Sequence, residues 1–175
     1  LKGRTGFPVM AFRTDGIHSY LPGAGEAYLR LAEAFLKEPQ SKPQCPAVKV
    51  NLLGLTPLDF SVVGNTTELK NLIARSGLTV HTSWSMGDSL DNLVTAAEAD
   101  VNAVVSSTGF YLAQYMKEKY GIPYVVGIPI GEQSVEPWIE ALKNGDSSYL
   151  TGLTGNEAVR KVQFAMADLN AWKDE

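Results

Sequence analysis

Four short apolar runs, each bounded by turn-forming residues and separated by an amphipathic stretch, leave this chain few architectures. The first is Val48-Lys49-Val50-Asn51-Leu52-Leu53-Gly54-Leu55, which follows a Pro-rich joint and leads into a polar, Gly-bearing loop. The others are Leu78 to Trp84, Val101 to Val105 and Tyr124 to Ile130. Runs of this length and composition read as buried parallel strands. Helical periodicity fills the gaps. The spacing predicts a helix from about Thr66 to Ser76, with Leu69, Leu72 and Ile73 as its inward stripe. Asn65 or Thr66 suits its N-cap and Gly77 the position just past its end. Asp88 or Ser89 caps a helix through about Ala99, Phe110 to Tyr120 forms one closed by Gly121, and Ser134 caps one from about Val135 to Lys143.

Strands alternating with helices at this spacing predict an α/β fold. It is a doubly wound, flavodoxin- or Rossmann-like, mostly parallel sheet of four core strands with helices on both faces. Right-handed crossovers favour the strand order 2-1-3-4. An N-terminal strand and helix precede this unit. Phe7 to Arg13 reads as a strand, Thr14 to Gly25 as a loop, and Glu26 to Lys37 as an amphipathic helix through Ala27, Leu31, Ala34 and Phe35. Pro39, Pro43 and Pro46 make a stiff joint. Asn144 to Gly155 reads as a linker and Asn156 to about Lys173 as a last amphipathic helix. The expected divisions are residues 1–47, 48–145 and 146–175. The chain starts at Leu1 rather than Met, and it is expected to be a piece of a larger subunit.

Composition narrows the function classes. The 175 residues carry a net charge of −4 with the signs interspersed, so nucleic acid and anionic membrane surfaces are not expected partners. No apolar run approaches the roughly 20 residues of a membrane span. A single cysteine, Cys45, excludes an internal disulfide. With no leader pattern evident, the expected compartment is the cytoplasm.

In an open parallel sheet, ligands gather at the C-terminal strand ends. The loops there carry Asp59, Asp88 and Glu132 among Thr, Ser, Gly and Asn. Asn65, Ser106, Ser107, Thr108 and Gly109 are the candidate cofactor-binding residues, because helix starts leave N–H groups aimed at the rim. Plain helix capping would choose the same residue types. No catalytic residue and no metal ligand can be named. Ser106 follows a strand and precedes a helix but lacks the Gly-x-Ser-x-Gly frame. Gly23-Ala24-Gly25 lacks the third glycine of a dinucleotide fingerprint. His18, His81 and Cys45 have no ligand spacing, His81 reads as a satisfied structural residue, and Trp84, Trp138 and Trp172 read as packing or interface residues.

Five stretches together carry a resemblance. They are Val50 to Gly54 (Val-Asn-Leu-Leu-Gly), Glu68 to Val80, Ala99 to Val105, Tyr115 to Tyr124 (Tyr-Met-Lys-Glu-Lys-Tyr-Gly-Ile-Pro-Tyr) and Gly127 to Gly131 (Gly-Ile-Pro-Ile-Gly). The chain resembles the central domain of nitrogenase component 1-type oxidoreductases, a family of nitrogenase subunits, cofactor-assembly scaffolds and dark-operative protochlorophyllide reductase subunits. The resemblance implies one wall of an inter-domain cofactor or substrate pocket, with electrons supplied by an ATP-dependent iron–sulfur reductase. It also implies partners: other domains of the same subunit and a paralogous companion subunit. An iron–sulfur cluster or tetrapyrrole is implied for the full-length complex and none for the isolated fragment. In the catalytic nitrogenase subunits of that family, the resemblance implies a cluster-binding cysteine just after the strand matching Val101 to Val105, and here that place holds Val105-Ser106-Ser107. The alternatives are a non-catalytic scaffold or partner domain that docks protein, and a flavin- or nucleotide-binding module.

Overall fold

The computed structural model describes residues 6, 9–11, 19–40, 47–60 and 64–149. Among them are six α-helices and one four-stranded sheet, all parallel, in the order β2-β1-β3-β4. The strands are β1 (Lys49–Leu53), β2 (Thr79–Ser83), β3 (Val101–Val104) and β4 (Tyr124–Val126). The helices are α1 (Leu21–Phe35), α2 (Pro57–Phe60), α3 (Asn65–Arg75), α4 (Leu90–Leu93), α5 (Phe110–Tyr120) and α6 (Val135–Asn144). The fold class and the strand order are those the sequence predicts. No helix among the described residues is long and apolar enough to cross a membrane.

Period-2 alternation sends the central strands' side chains to two separate cores. Val50, Leu52, Val101 and Ala103 pack with Leu69 and Ile73 of α3 and Trp138 and Leu142 of α6. Leu53 and Val104 face the other way, against Tyr28 and Ala32 of α1 and Phe110, Leu112 and Met116 of α5. Both faces of the sheet are therefore covered. Each fully buried Leu or Ile contributes roughly 1.5–3 kcal/mol.

On the α1/α5 face, three polar side chains sit among these apolar ones. Asn51, Thr82 and Asn102 are all 0% exposed. Thr82 donates to Asn51 Oδ1 at 2.7 Å, and Asn51 Nδ2 donates to Asn102 Oδ1 at 2.8 Å and to the Ala96 carbonyl at 2.9 Å. The row crosses β2, β1 and β3. A one-residue slip of any of these strands would turn its polar group into the opposite, apolar core.

Several boundaries differ from the sequence reading, each for a local reason. Gly23-Ala24-Gly25 is helical rather than a loop, because α1 begins at Leu21 with proline in its first turn. A Cβ on Gly25 would lie 2.7 Å from the Tyr111 ring and 3.3 Å from the Thr108 carbonyl. The glycine there serves close packing of α1 on the β3–α5 connection. α1 ends at Phe35, since Leu36 is already extended. Gly64, at φ +98°, holds the N-cap of α3, while the Asn65 amide donates to the Phe60 carbonyl instead of capping. The helix expected from Asp88 to Ala99 is only α4, capped by Ser89, followed by a 3₁₀ turn at Ala96–Glu98. Asn92 bonds Asp88 and the His81 carbonyl, and Thr95 bonds the Asn92 carbonyl, so polar side chains compete with the helix. β4 stops at Val126 rather than Ile130. Gly127 turns at φ +110°, and Trp138 Nε1 donates to its carbonyl at 3.0 Å. Ser134 holds the N-cap position of α6, but its hydroxyl donates to the Gly131 carbonyl.

Residues 9–11 lie in no strand, and the rest of the strand expected over Phe7 to Arg13 lies outside the described residues, as does the expected C-terminal helix.

Asn51→Ala is expected to destabilise the protein by roughly 3 kcal/mol, because it strands two buried side-chain partners and a carbonyl. Thr82→Val removes one partner and is expected to cost about 1 kcal/mol. Urea denaturation measures both, and a loss below about 1 kcal/mol for Asn51→Ala would show that the row is incidental.

Candidate functional site

The C-terminal edge of the sheet is built by tying the β1 and β3 loops together through backbone. Gly54 follows β1 at φ +94°, a conformation that disfavours a side chain. Its carbonyl accepts from the Ser106 hydroxyl at 2.9 Å and, more distantly, from that of Thr108 at 3.4 Å. The two hydroxyls lie 2.7 Å apart. Beneath them, a Cβ on Gly109 would come within 2.6 Å of the Leu53 carbonyl carbon and oxygen. The loop therefore lies flat against the end of β1 only because residue 109 is glycine.

A second tie brings in α1 and the β2 loop. Leu55 N–H donates to the Trp84 carbonyl at 2.9 Å. Ser85 Oγ donates to the Leu55 carbonyl at 2.9 Å and meets the Tyr28 hydroxyl at 2.7 Å. Burial pushes the Tyr28 phenol above its ordinary pKa, with the Ser85 hydrogen bond opposing it. Nearer solvent, the Tyr20 hydroxyl donates to Asp59 Oδ1. Burial first, and then that hydrogen bond, raise the Tyr20 phenol, so it stays a donor across the neutral range.

Outside this clasp lies an open cleft of about 600 Å³. α3 forms one side through Asn65, Glu68, Leu69, Leu72 and Arg75. The other sides are Val105 and Ser106 after β3, Ile128 and Pro129 after β4, and Asp59 and Phe60 in α2. Its volume falls in the range of small-molecule sites.

Of the five candidate residues, the structure brings Ser106 and Asn65 to this cleft. Thr108 and Gly109 are buried beneath it in the clasp, and Ser107 starts the 3₁₀ turn that leads into α5. Asp88 is occupied locally, accepting from Ser83 N–H at 2.7 Å and from Asn92. His81 Nε2 lies 3.0 Å from the Thr95 carbonyl and 3.2 Å from its hydroxyl, as a satisfied structural residue would. Trp84 and Trp138 are core residues. His18, Cys45 and Trp172 lie outside the described residues. Sequence reasoning did not single out Tyr20, Glu68 or Arg75. The last two do follow from the α3 helical repeat, since positions 65, 68, 72 and 75 recur every three or four residues along one side.

Among the described residues, no group of three or more His, Cys, Asp or Glu side chains converges as metal ligands would. The donors on the cleft are hydroxyl, amide and carboxylate oxygens and one guanidinium. They do not fit an iron–sulfur cluster, which takes thiolates.

A model of the family described as nitrogenase component 1 type oxidoreductase matches residues 2–147. The chain is 35% identical over 106 residues to a light-independent protochlorophyllide reductase subunit from Prosthecochloris aestuarii, covering 60% of this chain and 20% of that protein. It is 27% identical over 144 residues to the same-named protein from Chlorobium luteolum, covering 81% of this chain and 27% of that protein. The chain thus spans between a fifth and about a quarter of the length of these curated relatives. A solved structure of nitrogenase Cp1 at pH 5 aligns over 99% of this chain and 33% of its own, with a TM-score of 0.65 and 18% identity, a likeness of fold. The family match over most of the sequence, on a sheet of the predicted order, makes this chain a member of the nitrogenase component 1-type oxidoreductase family.

Proposed function

We propose that the chain is a domain of a nitrogenase-like oxidoreductase subunit and contributes one wall of a cofactor or substrate pocket shared with further domains. The observation that carries this reading is the position of the cleft. It opens on the C-terminal edge of the sheet, where α/β proteins of this kind hold their ligands, and among the described residues it lacks a covering side. The relatives' name, light-independent protochlorophyllide reductase, supports a redox role for the whole protein. Electrons would come from a separate ATP-dependent iron–sulfur reductase, and a companion subunit would complete the complex.

Two exposed apolar side chains support a covering neighbour. Leu58 in α2 is 74% exposed and Ile130 after β4 is 72% exposed. Both stand on the same edge of the sheet as the cleft. Large apolar side chains flanking an open cleft suit a contact surface better than a solvated rim.

The wall's own chemistry is limited to positioning. Ser106 and Thr108 turn their hydroxyls to partners within the clasp, Asn65 Nδ2 is taken by Phe60, and Asp59 accepts from the Tyr20 hydroxyl. Soft ligands for a cluster would have to come from other domains. The engaged hydroxyls also favour, as a second reading, a scaffold domain that shapes a pocket without reacting in it.

The purified chain, reconstituted anaerobically with iron and sulfide, is expected to hold only substoichiometric iron and to show no charge-transfer absorption in the visible. Stoichiometric iron with such a band would contradict the one-wall reading. A second measurement addresses the covered edge. Leu58→Lys with Ile130→Lys is expected to leave the isolated chain's stability within about 0.5 kcal/mol. In a chimera carrying residues 2–147 in place of the matching stretch of the Prosthecochloris aestuarii reductase subunit, the same pair is expected to expose the domain to limited proteolysis. Unchanged protection in the chimera would argue against a neighbour on that edge.

A further inference from the structure

The cleft is polar at both ends and apolar between them. At the rim end stand hydrogen-bond acceptors. Asp59 takes the Tyr20 hydroxyl on Oδ1, and among the described residues its Oδ2 accepts nothing. Asn65 uses Nδ2 on the Phe60 carbonyl, which leaves Oδ1. Ser106 Oγ gives its proton to the Gly54 carbonyl and lies 2.7 Å from the Thr108 hydroxyl, so what it offers the cleft is its remaining acceptor capacity. The far end of the cleft carries Arg75, which pairs with no carboxylate among the described residues. Leu69, Leu72, Val105 and Ile128 line the stretch between.

The two ends have a fixed separation. Asn65 and Arg75 are ten residues apart on one helix, about 15 Å of rise, and Glu68 and Arg75 are seven apart, about 10 Å. A simple anion would satisfy Arg75 alone, with the carboxylates of Asp59 and Glu68 opposing it further along. A polycation would meet Arg75. A purely apolar molecule would leave both ends without partners.

Building on the reading of the cleft as a ligand wall, we propose that it takes an elongated, largely apolar molecule with a carboxylate at one end and an amine or hydroxyl donor at the other. The carboxylate sits on the Arg75 guanidinium, whose planar fork suits it bidentately. The donor end points to Asp59 and Ser106, and the apolar body lies along Leu69, Leu72 and Ile128. The acceptor end selects against molecules that are anionic at both ends.

The test is a solution NMR titration of the full chain with 4′-aminobiphenyl-4-carboxylate, whose rigid apolar body separates the two groups. Biphenyl-4-carboxylate and 4-aminobiphenyl each carry one of them. The bifunctional compound is expected to bind about two- to fivefold more tightly than either, the range of exposed charged contacts, and to shift the Arg75 Nε–H resonance. Arg75→Gln is expected to abolish its advantage over 4-aminobiphenyl, and Asp59→Ala its advantage over biphenyl-4-carboxylate. Equal affinities for the three compounds, or indifference to Arg75→Gln, would overturn the polarity while leaving the cleft a ligand wall. If none of the three shifts any cleft resonance, the inference falls. The one-wall reading then still stands or falls on the iron and proteolysis measurements.

Discussion

Two backbones meet at the C-terminal edge of the sheet with no room for a side chain between them. Gly109 lies against the Leu53 carbonyl, and Gly54 lies against Ser106. Because these atoms are main chain, neither can step aside by changing rotamer. Everything at the edge takes its position from this approach. Ser106 and Thr108 reach the Gly54 carbonyl only because the loops are this close, and the start of α5 is set by the same turn. Gly25 extends the same logic outward, letting α1 lie on Tyr111 and the Thr108 carbonyl. The cleft is then the space left between this fixed edge and α3.

The sheet beneath is held in register by means that differ on its two faces. The α3/α6 face is apolar throughout its core cluster, so its packing would tolerate rearrangement of similar volume. The α1/α5 face carries the Thr82–Asn51–Asn102 row, which tolerates none, because each buried polar group depends on the next. Both faces bury apolar side chains, and the α1/α5 face adds the polar row that fixes the alignment. Aligned strand ends are what bring the loops after β1 and β3 together.

The architecture was legible in the sequence because it rests on local periodicity. Apolar runs such as Val101 to Val105 mark buried strands, and crossover handedness then orders them. What depended on contacts between distant residues was not legible. Gly23 and Gly25 read as loop formers when judged by propensity, whereas both are helical and Gly25 lets Tyr111 approach. The helix expected through Ala99 was broken by Asn92 and Thr95, whose partners include His81, more than ten residues earlier. Ser106 and Thr108 were found as rim residues by their place after a strand. Their hydrogen bonds inward to Gly54, more than fifty residues away, could not be read from spacing. Asp59 was likewise found as a rim residue, but its meeting with Tyr20, 39 residues away, could not be read from spacing either.

Membership of the component 1-type family gives the edge its meaning, and the clasp gives it its shape. In the proposed reading the chain contributes a wall, polar at both ends and apolar between, rather than a reactive group. That wall depends on the backbone approach at Gly109 more than on any side chain. Gly109 has φ −80°, an ordinary conformation for alanine, so Gly109→Ala adds one methyl group and no backbone strain. Urea denaturation of this variant tests the claim most directly. The clasp predicts a loss of at least about 2 kcal/mol, as overpacking against main chain requires. Stability within about 0.5 kcal/mol of the parent would contradict it.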